Sequence, residues 1–166
     1  MGRLDLTRKS TVRAATSSDL DGILALETAA FPAEDRFPRR SWRRLLTVDS
    51  ALCLVVGEPQ HVLASVAWLL RDGSGLARMY SLAVHPEARG RGLARELVRV
   101  SLRRLPRRID TLGLEVRADN AAAVGLYCAL GFMETARLPA YYGPGRDGLR
   151  LRATLASVAQ SLTVDK

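Results

Sequence analysis

Three groups of residues in this chain are of a type and spacing that can do chemistry. The first is a basic glycine turn, Arg89-Gly90-Arg91-Gly92, between the apolar run Met79–Val84, stopped by His85-Pro86, and an amphipathic segment that opens with Leu93-Ala94. A strand, a glycine turn and a helix in succession leave the first N–H groups of the helix bare, and the helix dipole adds partial positive charge there. Glycine lets a ligand approach that backbone, so the turn suits a phosphate. The second is Glu115 within Leu112-Gly113-Leu114-Glu115-Val116. Strand alternation sends the three aliphatic residues to one face and Glu115 to the other, beside Gly113, where a carboxylate can accept a proton directly or through water. The third is Tyr127, about two helical turns beyond Asn120, on the side shared with Ala123 and Leu130. Its hydroxyl can donate a proton.

These groups must be held by ordinary elements, and the pattern of the chain predicts them. Ser10–Ala14 reads as a short strand. Ser18-x-x-Asp21 resembles a capping box ahead of a helix with Leu20, Ile23, Leu24 and Phe31 at helical spacing, ended by Pro32. A loop carrying the adjacent acids Glu34-Asp35 follows, then a short helix Arg39–Thr47. Ala51–Val56 and Val62–Leu70 flank a Gly57-Glu58-Pro59-Gln60 turn and read as a hairpin. Leu76–Val84 is the next strand. The central helix runs from about Gly90 to Leu105, with Leu93, Leu97, Val98, Leu102 and Leu105 on its apolar face. Thr111–Val116 then completes a parallel βαβ unit. Asp119 or Asn120 caps a further helix that Gly131 closes. Phe132–Leu138 and Leu149–Leu155 are the last strands. The expected fold class is α/β, in the α+β mixed sense: one sheet of about seven strands flanked by about four helices. Residues 1–9 are expected as a loose tail and residues 10–166 as one domain.

Composition narrows the function classes. The chain has 166 residues, of which 48% are hydrophobic, enough for a packed core. It has no apolar run of membrane-span length and no apolar signal core near the N-terminus, so a cytoplasmic protein is expected. Cys53 and Cys128 lie far apart and outside any zinc pattern; two small buried side chains are expected, and no metal site. The net charge is +8, and all but two of the 25 basic residues are arginine. Such a field attracts polyanions, but no nucleic-acid motif accompanies it and only 5% of residues are aromatic. Nucleic acid is therefore an unlikely partner on the sequence. His61 and His85 receive no role.

The glycine turn does not fit the common nucleotide motifs. G-x-x-x-x-G-K-[ST] is absent, and Arg95 stands where the third glycine of G-x-G-x-x-G belongs. It does fit [Q/R]-x-x-G-x-[G/A], read as Arg89, Gly92 and Ala94, directly after SLAVHP. With these residues the chain resembles the GNAT superfamily of acetyl-CoA-dependent N-acetyltransferases. The segment LEVRADNAAAVGLYCALGF, Leu114–Phe132, resembles the bacterial ribosomal-protein N-terminal alanine acetyltransferases in particular. So does the tail Tyr141-Tyr142-x-x-Gly145-x-Asp147, beside a family pattern YYxDGxDAxxM, in which Pro144, Gly148 and Leu151 depart from the family's residues. The resemblance covers roughly Met79–Leu155 well and the first helices loosely.

The resemblance implies roles. Acetyl-CoA is the donor. Its pantetheine pairs with the backbone of Leu82, Ala83 and Val84 and meets Asn120, and its pyrophosphate rests on the N–H groups of Arg89, Gly90, Arg91, Gly92, Leu93 and Ala94. Glu115 is the general base and Tyr127 the general acid. Tyr141 and Tyr142 line the acceptor mouth, and Glu34 and Asp35 lie in the loop expected there. The acceptor is a protein or peptide N-terminal α-amine, with a small amine or a lysine as the alternative, and a non-catalytic acyl-CoA sensor as a further one. Simpler readings stand beside these roles: Glu115 as a strand-end partner of arginines, Tyr127 as a core tyrosine with a backbone partner, Asn120 as a helix cap, the tyrosine pair as packing, and Glu34-Asp35 as loop charge paired with Arg36 or Arg39.

Overall fold

The structure, a computed structural model, describes residues 11–164, so the expected tail over residues 1–9 lies outside the described residues. In chain order the elements are β1 (Val12–Ala14), α1 (Leu20–Ala30), α2 (Arg39–Leu45), β2 (Ala51–Glu58), β3 (His61–Leu70), β4 (Leu76–Val84), α3 (Leu93–Arg104), β5 (Thr111–Arg117), α4 (Ala121–Ala129), β6 (Met133–Leu138), β7 (Gly148–Thr154) and α5 (Leu155–Val164). The strands form a seven-stranded sheet in the order β1-β2-β3-β4-β5-β7-β6. The pairing of β4 with β5 is parallel, while β1 with β2, β2 with β3, β5 with β7 and β6 with β7 are antiparallel. The mixed sheet and the βαβ unit are as the sequence predicts.

The fifth helix was not expected. Leu155, expected at the end of a strand, begins α5. The Thr154 hydroxyl accepts from the Ser157 N–H at 3.0 Å and caps the helix, and Val158 is fully buried. Room for α5 comes from Gly131: a Cβ there would stand 3.0 Å from both the Ser157 and Ser161 hydroxyls. Gly131 has φ of 93°, as a glycine closing α4 should.

The chain divides into two compact units, one holding residues up to Leu69 with Tyr80–Arg104, the other Leu70–Met79 with the chain from Leu105 on. In the first unit, Ile23, Leu26, Trp42, Val55 and Ala67 form a core that Ala83 completes from β4. β3 is buried without a break from Val62 to Trp68, because it is covered on both faces. Full burial of side chains of this size contributes about 1.5–3 kcal/mol each. Cys53 belongs to this core, and burial pushes its thiol up to about 12. Cys128 is exposed, which corrects the expectation of two buried cysteines. It lies on α4, whose residues are apolar nearly all round, so the sequence pattern did not mark the face that turns outward.

The capping box also moves. Thr16 and Asp19 form it, not Ser18 and Asp21: the Thr16 N–H donates to Asp19 Oδ2 at 2.7 Å. The reason is Arg13, whose Nη1 and Nη2 donate to Asp19 at 2.9 and 2.6 Å. This bidentate grip holds the buried Asp19 carboxyl below the usual carboxylate range. Arg13 also donates to the carbonyl of Gly57, which the bulge in β2 turns toward it.

Glu27 is a further buried acid, 1% exposed. Its carboxylate accepts from the Phe37 N–H at 2.9 Å and from the Ser81 hydroxyl at 3.2 Å, so it ties the loop after α1 to α1 and β4. Burial raises its pKa, against the pull of those hydrogen bonds. The Trp42 indole N–H meets no acceptor at hydrogen-bonding geometry, although it lies near enough to favour the charged carboxylate. Glu27→Ala strands two buried donors and is expected to cost about 1–3 kcal/mol. Because the folded-state pKa is raised, the wild type loses stability as pH rises from the ordinary glutamate value through the raised one. Glu27→Gln removes that slope. Thermal melts of wild type and both variants between pH 4 and 8 check the magnitude and the sign.

Candidate active site

The glycine turn is built from the first unit. After β4, a single 3₁₀ turn at Pro86–Ala88 carries the chain to Arg89. Gly90 and Gly92 have φ of 73° and 74°, conformations that favour glycine. α3 begins at Leu93, three residues later than the expected start at Gly90, because these left-handed glycines cannot join the helix. The Glu96 N–H reaches back to the Gly92 carbonyl at 3.0 Å, so Gly92 precedes the first turn and Leu93 and Ala94 lie in it. A Cβ at Gly90 or Gly92 would meet nothing within 4 Å. Open space faces the backbone there. Open backbone ahead of a helix N-terminus suits an anion. Arg89 and Arg91 are exposed beside it.

β4 leads into this turn with strict alternation: Ala77, Met79, Ser81 and Ala83 are buried, and Leu82 and Val84 are half-buried on the other face. Of the three expected pantetheine contacts, Ala83 therefore has its side chain in the core and offers only backbone. The ladder between β4 and β5 pairs Leu76 with Thr111, Ala77 with Leu112 and Arg78 with Gly113.

Glu115 lies in the second unit, as alternation requires. Leu112, Leu114 and Val116 are buried on the opposite face. Its side chain is only 5% exposed, and the carboxylate accepts from Arg78 Nε at 2.6 Å and from Arg150 Nε at 3.3 Å. The space beside Gly113, expected to be uncrowded, holds a third guanidinium: a Cβ on Gly113 would collide with the Arg152 guanidinium. Glu115 thus has the arginine partners of its simpler reading. The roles of base and ion-pair partner are compatible, because a carboxylate has two oxygens and several acceptor directions.

Tyr127 sits on the inner side of α4, 9% exposed, with its ring edge-on to Phe132 at 6.0 Å between centroids. Burial raises its pKa, with a smaller contribution from Tyr142. The hydroxyl therefore stays protonated across the ordinary pH range. It makes no hydrogen bond to another described residue, so the backbone partner of the core-tyrosine reading is missing. Asn120 does cap α4, its Oδ1 accepting from the Ala123 N–H at 3.1 Å.

Tyr141 and Tyr142 stand edge-on, 5.0 Å apart, in the turn between β6 and β7. Asp147 fixes that turn, accepting from the Ala140 N–H at 2.9 Å and from Arg137 Nε at 3.0 Å, bonds that lower its pKa in that order. Gly148 stands where the family pattern has alanine, and a Cβ there would crowd both tyrosine rings at about 3.1 Å. The Tyr141 hydroxyl receives Arg78 Nη2 at 3.4 Å, which links this turn to the Glu115 cluster. Glu34 and Asp35 lie in a 3₁₀ turn of the first unit. Arg36 donates to the carbonyls of Phe31 and Thr28, and Arg39 pairs with Asp21.

A family model, that of the acetyltransferase (GNAT) family, matches residues 20–132. This chain belongs to the GNAT family. It is 37% identical over 119 residues to a mycothiol acetyltransferase of Kineococcus radiotolerans, which covers 68% of this chain and 39% of that one. It is 44% identical over 73 residues to the ribosomal protein bS18-alanine N-acetyltransferase of Escherichia coli, covering 43% and 49%. The crystal structure of the Escherichia coli ribosomal-protein-S18-alanine N-acetyltransferase superposes with a TM-score of 0.75 at 26% identity, over 88% of this chain and 94% of that one. The chain spans between about a quarter and a half of the length of the curated relatives it matches.

Sequence reasoning missed Arg78, Arg150 and Arg152 in this GNAT chain. The signal was present: Arg150 and Arg152 alternate along β7 as Gly113 and Glu115 do along β5. It was masked by the arginine excess of the whole chain. The glycine turn yields a prediction. Gly92→Val places a branched side chain at φ of 74° and in the open space over the backbone. Acetyl-CoA affinity is expected to fall by at least about tenfold, the equivalent of one strong phosphate hydrogen bond. Calorimetry with the folded variant checks this, and unchanged affinity removes the turn from the donor site.

Proposed function

We propose that this protein transfers the acetyl group of acetyl-CoA to a primary amine, and that the acceptor is the α-amine of a protein or peptide N-terminus. In this reading the two units work as one acetyltransferase domain with a single donor. The N–H groups of Arg89–Ala94 hold the pyrophosphate, and the fit is supported by two left-handed glycines with open space above them. The backbone of Leu82–Val84 pairs with the pantetheine arm. The amide N–H₂ of Asn120, whose oxygen is engaged in capping, contributes a donor.

The chemistry assigned to the chain is proton handling. An ammonium has no lone pair, so the acceptor must react as a neutral amine. Three guanidiniums around Glu115 favour the neutral form by charge repulsion. The amine nitrogen attacks the thioester carbonyl carbon, the C–S bond breaks, and an amide and free coenzyme A result. Glu115 takes the proton that the nitrogen loses, through a water, because Arg78 and Arg150 already approach its oxygens. Tyr127 gives its proton to the departing sulfur. The observation that carries this reading is the Tyr127 hydroxyl: a buried ring holds it, it stays protonated, and no described residue occupies it.

Two relatives motivate the acceptor class by their names, one a ribosomal-protein alanine acetyltransferase and the other a mycothiol acetyltransferase. The similarity of Leu114–Phe132 and of the Tyr141-Tyr142 tail to the former favours a peptide α-amine. No helix among the described residues is long and apolar enough to cross a membrane, and a cytoplasmic site of action belongs to the same reading. Thiol release from acetyl-CoA, measured with a panel of peptides and small amines, tests it. A transferase releases coenzyme A only when an acceptor is present. Tight acetyl-CoA binding with no release for any acceptor overturns the reading in favour of a sensor. Release with small amines but no peptide overturns the acceptor assignment.

A further inference from the structure

Five residues of the second unit meet on one face of the sheet. The register pairs Glu115 with Arg150 and Gly113 with Arg152 across β5 and β7, and Arg78 with Gly113 across β4 and β5. Directly paired residues share a face, so three guanidinium groups and a single carboxylate project together. The aliphatic residues Leu112, Leu114, Leu149 and Leu151 occupy the other, buried face.

The charges do not balance. Glu115 accepts from Arg78 and Arg150, and its one negative charge is shared between them. Among the described residues Arg152 has no carboxylate partner. Its only hydrogen bond among the described residues runs from Nη1 to the Leu151 carbonyl at 3.3 Å. Its guanidinium is packed into the place of the missing Gly113 side chain. Desolvation works against its charge, with Glu115 opposing that effect and Arg150 and Arg78 adding to it. Arg78 Nη2 reaches on to the Tyr141 hydroxyl in the turn that begins with the exposed Tyr141 ring. A half-buried surplus of two positive charges therefore flanks the residue assigned to the acceptor's proton.

Packing charge this way has a cost unless an anion completes it. A planar guanidinium fork matches a carboxylate in two parallel hydrogen bonds, which a lysine cannot do. We propose that Arg152, with Arg150 and Arg78, forms a subsite for a carboxylate carried by the acceptor itself, so that acceptors bearing an acidic group near the reacting amine are selected. This rests on the transferase reading above and names its substrate class. The carboxylate comes either from an aspartate or glutamate side chain next to a peptide N-terminus or from the α-carboxylate of a free amino acid.

The test uses the full chain and acetyl-CoA with matched acceptors: tetrapeptides with Asp or Glu at the second position, their Asn and Gln isosteres, a Lys version, and free amino acids beside their amides. One hydrogen-bonded charge contact corresponds to about tenfold. The expected result is a KM at least about tenfold lower for the acidic member of a pair, with Lys the poorest. Arg152→Gln should raise KM about tenfold more for acidic acceptors than for their amide isosteres, which removes the wild-type preference. Preference in the peptide series alone locates the carboxylate on a side chain; preference in the amino-acid series alone locates it on the α-carboxyl. Equal KM within every pair, or an equal rise for acidic and amide acceptors in Arg152→Gln, overturns the proposal. Where Arg152→Gln fails to fold, the wild-type panel decides the charge preference unaided. If no acceptor yields thiol, the transferase reading fails separately, and calorimetric titration of the acidic and amide peptides in the presence of coenzyme A still decides this one.

Discussion

Tyr127→Phe is expected to lower turnover by about 10²- to 10⁴-fold, the usual contribution of a positioned general acid, while acetyl-CoA affinity and melting temperature stay close to wild type. The substitution keeps the ring, and with it the edge-on contact to Phe132. It deletes a hydroxyl that makes no hydrogen bond to a described residue, so the fold loses nothing by its removal. Removal of a buried hydroxyl from a protein interior usually lowers stability because its partner is left unpaired; here no partner exists among the described residues. The pH profile adds a second check. Because burial raises the Tyr127 pKa, the activity of wild type should show no descending limb from this group near neutrality. Full activity in the variant means that water protonates the thiolate. A fall in melting temperature matching the fall in activity makes Tyr127 a packing residue.

Glu115→Gln has an expected effect of similar size, about 10²–10⁴-fold in kcat/KM, but it carries a structural component that Tyr127→Phe lacks. The glutamine keeps the shape and one acceptor oxygen but removes the only carboxylate that faces Arg78, Arg150 and Arg152 among the described residues. Those arginines then repel one another without a counter-charge. Breaking a buried pair by removing one partner costs about 3–5 kcal/mol. The cost here should be smaller, since both paired arginines keep more than a third of their side-chain exposure to water. The two components separate by temperature and by pH. A catalytic loss persists at low temperature, where the variant is fully folded, and is greatest at low pH, where the acceptor amine is protonated and needs a base. A loss that disappears on cooling, with a wild-type rate at pH 6 to 9, leaves Glu115 as a structural anchor for the arginine face alone.

Much of the fold was legible because local rules and tertiary packing agree. The hairpin of β2 and β3, the alternating β4, the apolar face of α3 and the closing glycine Gly131 follow from periodicity and turn chemistry. The misreadings come from places where a distant residue decides. Arg13 selects Asp19 instead of Asp21 as the capping acid, through bonds that span six residues and reach Gly57. α5 forms where the chain pattern is weak, because Val158 finds a buried place and Gly131 makes room for its serines.

The same division runs through the site. The sequence alone determined the glycine turn, since left-handed backbone at Gly90 and Gly92 is a local property of residues without a Cβ. It determined that Glu115 faces away from the core, since strand alternation has a fixed period. It did not determine what Glu115 faces. Arg78, Arg150 and Arg152 stand 37, 35 and 37 positions away along the chain and reach it only through the register of β4, β5 and β7. Nor did it determine that the Tyr127 hydroxyl has no hydrogen-bond partner among the described residues, because hydrogen bonding across a fold depends on which distant groups arrive within about 3 Å. Register and burial are set by the packing of the whole sheet, so the charge around the site is a tertiary fact, while the turn and the alternation that frame it are written locally.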